Sequence, residues 1–175
     1  MGTAAASMLG TFLVAASVDS GVSESSAGLL LALGSGFGVG GRVLFGWRAG
    51  LSNGRQLLLV RRLMVSGAVG FAVLAAARST ALLVLGTILA FGTGWGWNGV
   101  LVYGVVRTNP NRPAYATGVT QAGLYVGGMS GPVLFGVISD RWSFALGWWT
   151  GAVLLVLAWV AVLLGQRLIT AGAAA

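Results

Sequence analysis

The feature that most constrains this chain is a set of long apolar runs that no charge interrupts. Ala81 to Val106, Ala114 to Ser139 and Trp142 to Gln166 carry no acidic or basic residue, and between Gly28 and Trp47 the sole charge is Arg42. A helix needs about 20 mostly apolar residues to cross the hydrocarbon core of a bilayer, and these runs reach that length. Lipid offers no partner to a backbone N–H or C=O, so a spanning segment must pair its own, as a helix does. The composition agrees: 57% of residues are hydrophobic and 7% charged, against about 25% charged in an ordinary soluble domain. A water-soluble fold of 175 residues would need far more polar surface. The expected fold is an all-α membrane protein.

Punctuation divides the chain into six expected spans: Gly2–Val18, Gly28–Trp47, Leu57–Ala77, Ala81–Val106, Ala114–Ile138 and Phe144–Gly165. The breaks hold turn and charged residues, such as Asp19-Ser20-Gly21, Ser52-Asn53-Gly54-Arg55 and Asn109-Pro110-Asn111-Arg112-Pro113. The segment Met1 to Val18 has no basic leader and no clear cleavage region, so it is expected to be a retained span. A net charge of +7 in a soluble protein would suggest nucleic acid. Here Lys is absent and the ten Arg stand mostly at the ends of apolar runs. Such charges orient spans, so the expected partner is the lipid bilayer and not nucleic acid. With both termini in the cytoplasm, Arg48, Arg55, Arg61, Arg62, Arg107, Arg112 and Arg167 lie inside, and only Arg78 and Arg141 outside. That asymmetry predicts a multi-pass protein of the plasma (inner) membrane with cytoplasmic ends.

The sequence also matches itself at a shift of 90 residues. Gly28, Ala32, Gly38 and Gly41 fall on Gly118, Ala122, Gly128 and Gly131, and Val43-Leu44-Phe45-Gly46 repeats as Val133-Leu134-Phe135-Gly136. From Gly28 to Gly46 there are eight identities in nineteen positions. The second and fifth spans are then equivalent members of two three-helix units, 1–77 and 81–166, within a single six-helix bundle. Three is odd, so the units cross the membrane in opposite senses, as an inverted repeat of the kind secondary transporters use.

These residues resemble the C-terminal six-helix half of the major facilitator superfamily. Val18-Asp19-Ser20-Gly21 through Gly28 is similar to its loop between helices 7 and 8, and Gly40-Gly41-Arg42-Val43-Leu44-Phe45-Gly46-Trp47 to the end of helix 8. Gly94-Trp95-Gly96-Trp97-Asn98-Gly99 with Asn109-Pro110 looks like helix 10. Ala116-Thr117-Gly118 through Gly131-Pro132, with Ser139-Asp140-Arg141, looks like helix 11 and its outer loop. The family's cytoplasmic Gly-x-x-x-Asp-Arg signature is degenerate, since Gly46 is followed four and five residues on by Gly50 and Leu51. The resemblance implies alternating-access transport of a small solute. It also implies a second six-helix half, supplied upstream in the same chain, by a separate chain or by a homodimer.

Polar and aromatic residues at membrane depth are the candidate substrate pathway: Trp95, Trp97, Asn98 and Tyr103 on the fourth span, Gln121 and Tyr125 on the fifth. An amide in hydrocarbon needs a partner or a wet cavity, so Asn98 and Gln121 are expected to face the bundle interior or a pathway. Interhelical hydrogen bonding for the amides and packing for the rings is the ordinary alternative. Candidate gating or hinge residues are Arg42, Gly46, Gly131 and Pro132; Pro removes an intrahelical hydrogen bond, and Arg42 has snorkelling to the interface as its ordinary role. Thirty Gly are present. Pairs such as Gly36-x-x-x-Gly40 and Gly127-x-x-x-Gly131 are expected to let helix backbones approach.

No enzyme activity is expected. Cys and His are absent, which removes thiol chemistry, imidazole bases and the usual zinc ligands, and no cofactor or metal is called for. A serine protease of the membrane would lack its base. The competing reading is a non-transporting membrane remnant or a structural membrane subunit.

Overall fold

The structure is a computed structural model that describes residues 1–51 and 55–172, with side chains through residue 168. Among these residues it is all helix: α1 (Gly2–Asp19), α2 (Glu24–Leu51), α3 (Gln56–Ala75), α4 (Thr80–Gly94), α5 (Trp97–Thr108), α6 (Pro113–Arg141) and α7 (Phe144–Gly172). Six stretches are long and apolar enough to cross a bilayer, α4 and α5 together making one of them, in keeping with a multi-pass membrane protein.

Local chemistry sets the ends. α1 closes where Gly21 takes a φ of 87°, a left-handed turn glycine adopts without steric cost. Ser79 caps α4 by accepting from the Leu82 N–H at 3.4 Å, and Ser143 accepts from the Leu146 N–H at 3.2 Å ahead of α7. Pro113 opens α6, where its missing N–H costs nothing. Several helices outrun the expected spans. α2 continues from Glu24 to Leu51, 28 residues, or about 42 Å at 1.5 Å per residue, which exceeds a hydrocarbon core of about 30 Å. The expected turn at Ser52-Asn53-Gly54 lies outside the described residues. On its far side the Gln56 amide donates to the Ala49 carbonyl at 3.3 Å, tying α3 to α2.

The fourth span differs most from expectation. Ala81–Val106 was expected as one helix, and it is two, interrupted at Trp95-Gly96 roughly half-way along Thr80–Thr108. Both residues keep right-handed dihedrals (φ −99°, ψ −24° and φ −68°, ψ −24°), so the chain bends without turning back. A methyl group on Gly96 would lie 2.8 Å from both the Gly92 carbonyl oxygen and the Phe45 ring, and the bend occupies that closely packed place.

The closest packing places α3 on α4 and α7, α6 on α1, and α2 on α4. Gly34 lies against Thr87 and Phe91, Gly38 against Phe91, Gly41 against Gly92, and Phe45 against Gly96, so α2 and α4 run parallel. In the same way Gly127 meets Thr3, Gly131 meets Ala4 and Ser7, and Gly136 meets Phe12, so α6 and α1 also run parallel. The core fills with aromatics: Phe135 is fully buried, its ring 4.6 Å from Phe12 and 4.6 Å from Trp148. Trp148 in turn sits edge-on to Phe71 at 5.9 Å.

One expectation about glycine is corrected. Gly127 and Gly131 do mark a close crossing, but Gly36 and Gly40 meet nothing within 4 Å. The packed face of α2 is Gly34, Gly38 and Gly41 instead. Two residues along a helix turn through about 200°, so the Gly36-x-x-x-Gly40 pair is off the contact line and borders an open groove beside α4. The two spans that match each other in sequence are also the least covered, with 17% of the spanning window buried in α2 and in α6 against 33–50% elsewhere.

Candidate functional site

The break in the fourth span is where the polar groups gather. Gly94, Trp95, Trp97 and Asn98 line a cavity of about 160 Å³ together with Thr3, Ala6 and Ser7 of α1, Arg42 of α2 and Gly128 of α6. Four of the expected site residues, Arg42, Trp95, Trp97 and Asn98, therefore share one site.

Each is held by the packing. The Trp95 indole N–H donates to the Ala6 carbonyl at 2.7 Å, anchoring the break to α1. Trp97 is 2% exposed. Its six-membered ring lies where a methyl group on Gly2 would come within 2.7 Å, and its indole nitrogen is buried with no hydrogen-bond partner among the described residues. Asn98 is half-buried and makes no hydrogen bond among the described residues. Ser7 gives its hydroxyl proton to the Ala4 carbonyl at 3.0 Å, which leaves its oxygen free to accept.

Arg42 is not placed as its sequence position suggested. The expected span ended at Trp47, one turn beyond it; α2 runs on to Leu51, leaving Arg42 about two and a half turns inside. Its guanidinium carbon lies 4.4 Å from the centre of the Trp95 ring, so it stacks on a neighbouring helix. It makes no hydrogen bond or ion pair among the described residues. An arginine costs about 2.5–3.5 kcal/mol at the centre of a spanning helix on insertion scales, and less toward its ends; Arg42 stands about 7 Å from the middle of α2. A cation–π contact returns about 0.5–2 kcal/mol. The ring takes one face of the guanidinium, which keeps N–H groups to offer.

The other expected residues lie elsewhere. Tyr103 is near the end of α5, its hydroxyl accepting from Arg107 at 3.4 Å with the guanidinium 5.9 Å from its ring. Gln121 is half-buried and Tyr125 exposed, both on α6 and outside the cavity. Gly46 is exposed, with open space where a side chain would go. Gly131 is buried against the backbone of Ala4. Pro132 sits inside an unbroken α6; having no N–H, it leaves the Gly128 carbonyl without its helical donor, and Gly128 lines the cavity. Sequence reasoning missed Thr3, Ser7 and Gly128. Only Gly128 carried a signal, as the repeat counterpart of Gly38.

Compared with family models, with curated proteins and with solved structures, the chain matches none.

Proposed function

We propose that this chain is a major-facilitator-type six-helix unit, built as two inverted three-helix repeats, that helps to move a small solute across the plasma membrane by alternating access. The observation that carries the reading is the cavity at the helix break, near mid-span, which brings Arg42, Asn98 and Ser7 together on largely apolar walls. Interrupted helices beside a mid-membrane site recur in secondary transporters, because a break frees polar groups for a ligand where a regular helix would satisfy them internally. The repeat reading is supported by a matched pair of contacts. Gly41 of α2 packs on α4, and its counterpart Gly131 of α6 packs on α1, each where a methyl group would strike a backbone carbonyl. In both cases the second span of one unit lies parallel to the first span of the other.

The uncovered faces of α2 and α6 suit a second six-helix half, against which Gln121 and the exposed Tyr125 of α6 would line the path. The test is uptake of an isotope-labelled small-metabolite mixture into proteoliposomes, read by mass spectrometry. Asn98→Leu is expected to cut accumulation of the transported solute at least tenfold at equal reconstitution, and Gln121→Leu by less than about threefold. No accumulation above empty liposomes, in vesicles where the chain cross-links to itself as a dimer, would end the transport reading and leave the structural-subunit alternative.

Orientation has its own check, made simple because the chain has no Cys. With cytoplasmic termini, a single Cys at Asn111 is expected to resist an impermeant maleimide added to intact cells, while one at Ser143 reacts. Labelling in the reverse pattern would invert the topology.

A further inference from the structure

We propose that the cavity at the α4–α5 break recognises a small organic anion, with Arg42 as its charge partner and the Asn98 amide N–H as a donor. The inference rests on reading this cavity as the solute site, and it adds the chemical class of the solute.

Charge balance is the first argument. Arg42 is the charged residue lining the cavity. The chain has three carboxylates, and all are far along their own helices from this place. Glu24 begins α2, 18 residues before Arg42, or about 27 Å at 1.5 Å per residue. Asp19 ends α1, 12 residues beyond Ser7, and Asp140 stands 12 residues beyond Gly128 on α6, each about 18 Å away. Among the described residues no carboxylate neutralises the guanidinium, which leaves its charge for a ligand to balance.

The hydrogen-bond inventory points the same way. An arginine and an indole N–H are donors only, with no acceptor to offer. Arg42 spends its face on the Trp95 ring and keeps its N–H edge unpaired. Trp97 lines the cavity, and its indole nitrogen is buried beneath the surface with no partner among the described residues. Arg42 is exposed in this bundle, so its N–H groups are open to an incoming ligand, and what completes a donor-only group carries acceptor oxygens. A carboxylate supplies both the oxygens and the charge, and binds arginine through two parallel bonds. The cavity, at about 160 Å³, has room for several waters of about 30 Å³ each. That suits a short acid whose apolar part rests on the two indoles.

Benzoate, benzamide and benzamidinium have nearly the same shape and carry negative, zero and positive charge, so the series isolates charge. Calorimetric titration of each into the purified chain in a non-ionic detergent is expected to show benzoate binding at least tenfold tighter than benzamide, with benzamidinium not binding. In Arg42→Gln the advantage of benzoate over benzamide should fall below about twofold, and Arg42→Lys should recover part of it. Benzoate that fails to saturate, benzamide or benzamidinium that binds equally well, or an advantage that survives Arg42→Gln would each overturn the proposal. The charge series on the unaltered chain decides it even if Arg42→Gln does not fold. Selective benzoate binding without any flux leaves the anion site standing and ends the transport reading; flux of a neutral or cationic solute without benzoate binding does the opposite.

Discussion

Gly131→Val is expected to unfold the contact between α1 and α6 and to lower the melting temperature of the purified chain more than any other single glycine replacement on α6. A side chain at this position would meet the carbonyl oxygen and Cα of Ala4 and the hydroxyl of Ser7 at 2.6 Å. Two of those three atoms belong to backbone, which cannot rotate aside, so the helices themselves must separate. Overpacking into a filled interior costs about 1–3 kcal/mol. A clash with a helix backbone belongs at or above the top of that range. In lipid the loss has no hydrophobic compensation, because acyl chains are as apolar as the side chains and helix association depends on close packing. Thermal unfolding in detergent, with size-exclusion profiles as a check on aggregation, measures the effect. Gly36→Val and Gly40→Val serve as controls. Both positions face open space and should change stability by less than about 0.5 kcal/mol. Equal losses at all three sites would mean that the glycines act through helix propensity and not through contact.

Phe135→Ala is the second large effect. Its ring is fully buried and touches Phe12, Phe144 and Trp148, at centroid distances of 4.6, 6.2 and 4.6 Å. It therefore joins α6 to α1, to the start of α7 and, through Trp148 and Phe71, to α3. In a bilayer the transfer part of a large-to-small penalty largely vanishes, and the cavity part remains. Leaving roughly 100 Å³ empty at about 24 cal/mol per Å³ costs about 2.4 kcal/mol. Phe135→Leu, which keeps most of the volume, should lose less than half as much. The same unfolding assay reads both. Comparable losses for Ala and Leu would show that ring stacking, rather than filled volume, holds the three helices.

The residues show why some features were legible and others were not. Uninterrupted apolar runs reveal spans because each helix must satisfy its own backbone in lipid, whatever surrounds it. Trp95, Trp97, Asn98 and Arg42 stood out because polar and aromatic groups at that depth are rare. Gly36 and Gly127 looked alike, yet one faces open space and the other lies against Thr3. Nothing in a Gly-x-x-x-Gly spacing tells which side of the helix has a neighbour. The break at Trp95-Gly96 was equally hidden, since four glycines at 92, 94, 96 and 99 permit a bend without requiring one.

By itself, then, the sequence determined six apolar crossings and an asymmetric placement of arginine. Hydrocarbon length and backbone pairing act on each segment alone, and the residues that meet those demands lie next to one another in the chain. The tertiary structure decided which glycines touch, where the fourth span bends and that Arg42 stacks on Trp95. Those outcomes depend on atoms from helices far apart in the chain, such as Ala6 against Trp95 and Ala4 against Gly131. A cavity whose walls come from α1, α2, α6 and the α4–α5 break exists only once the four are packed.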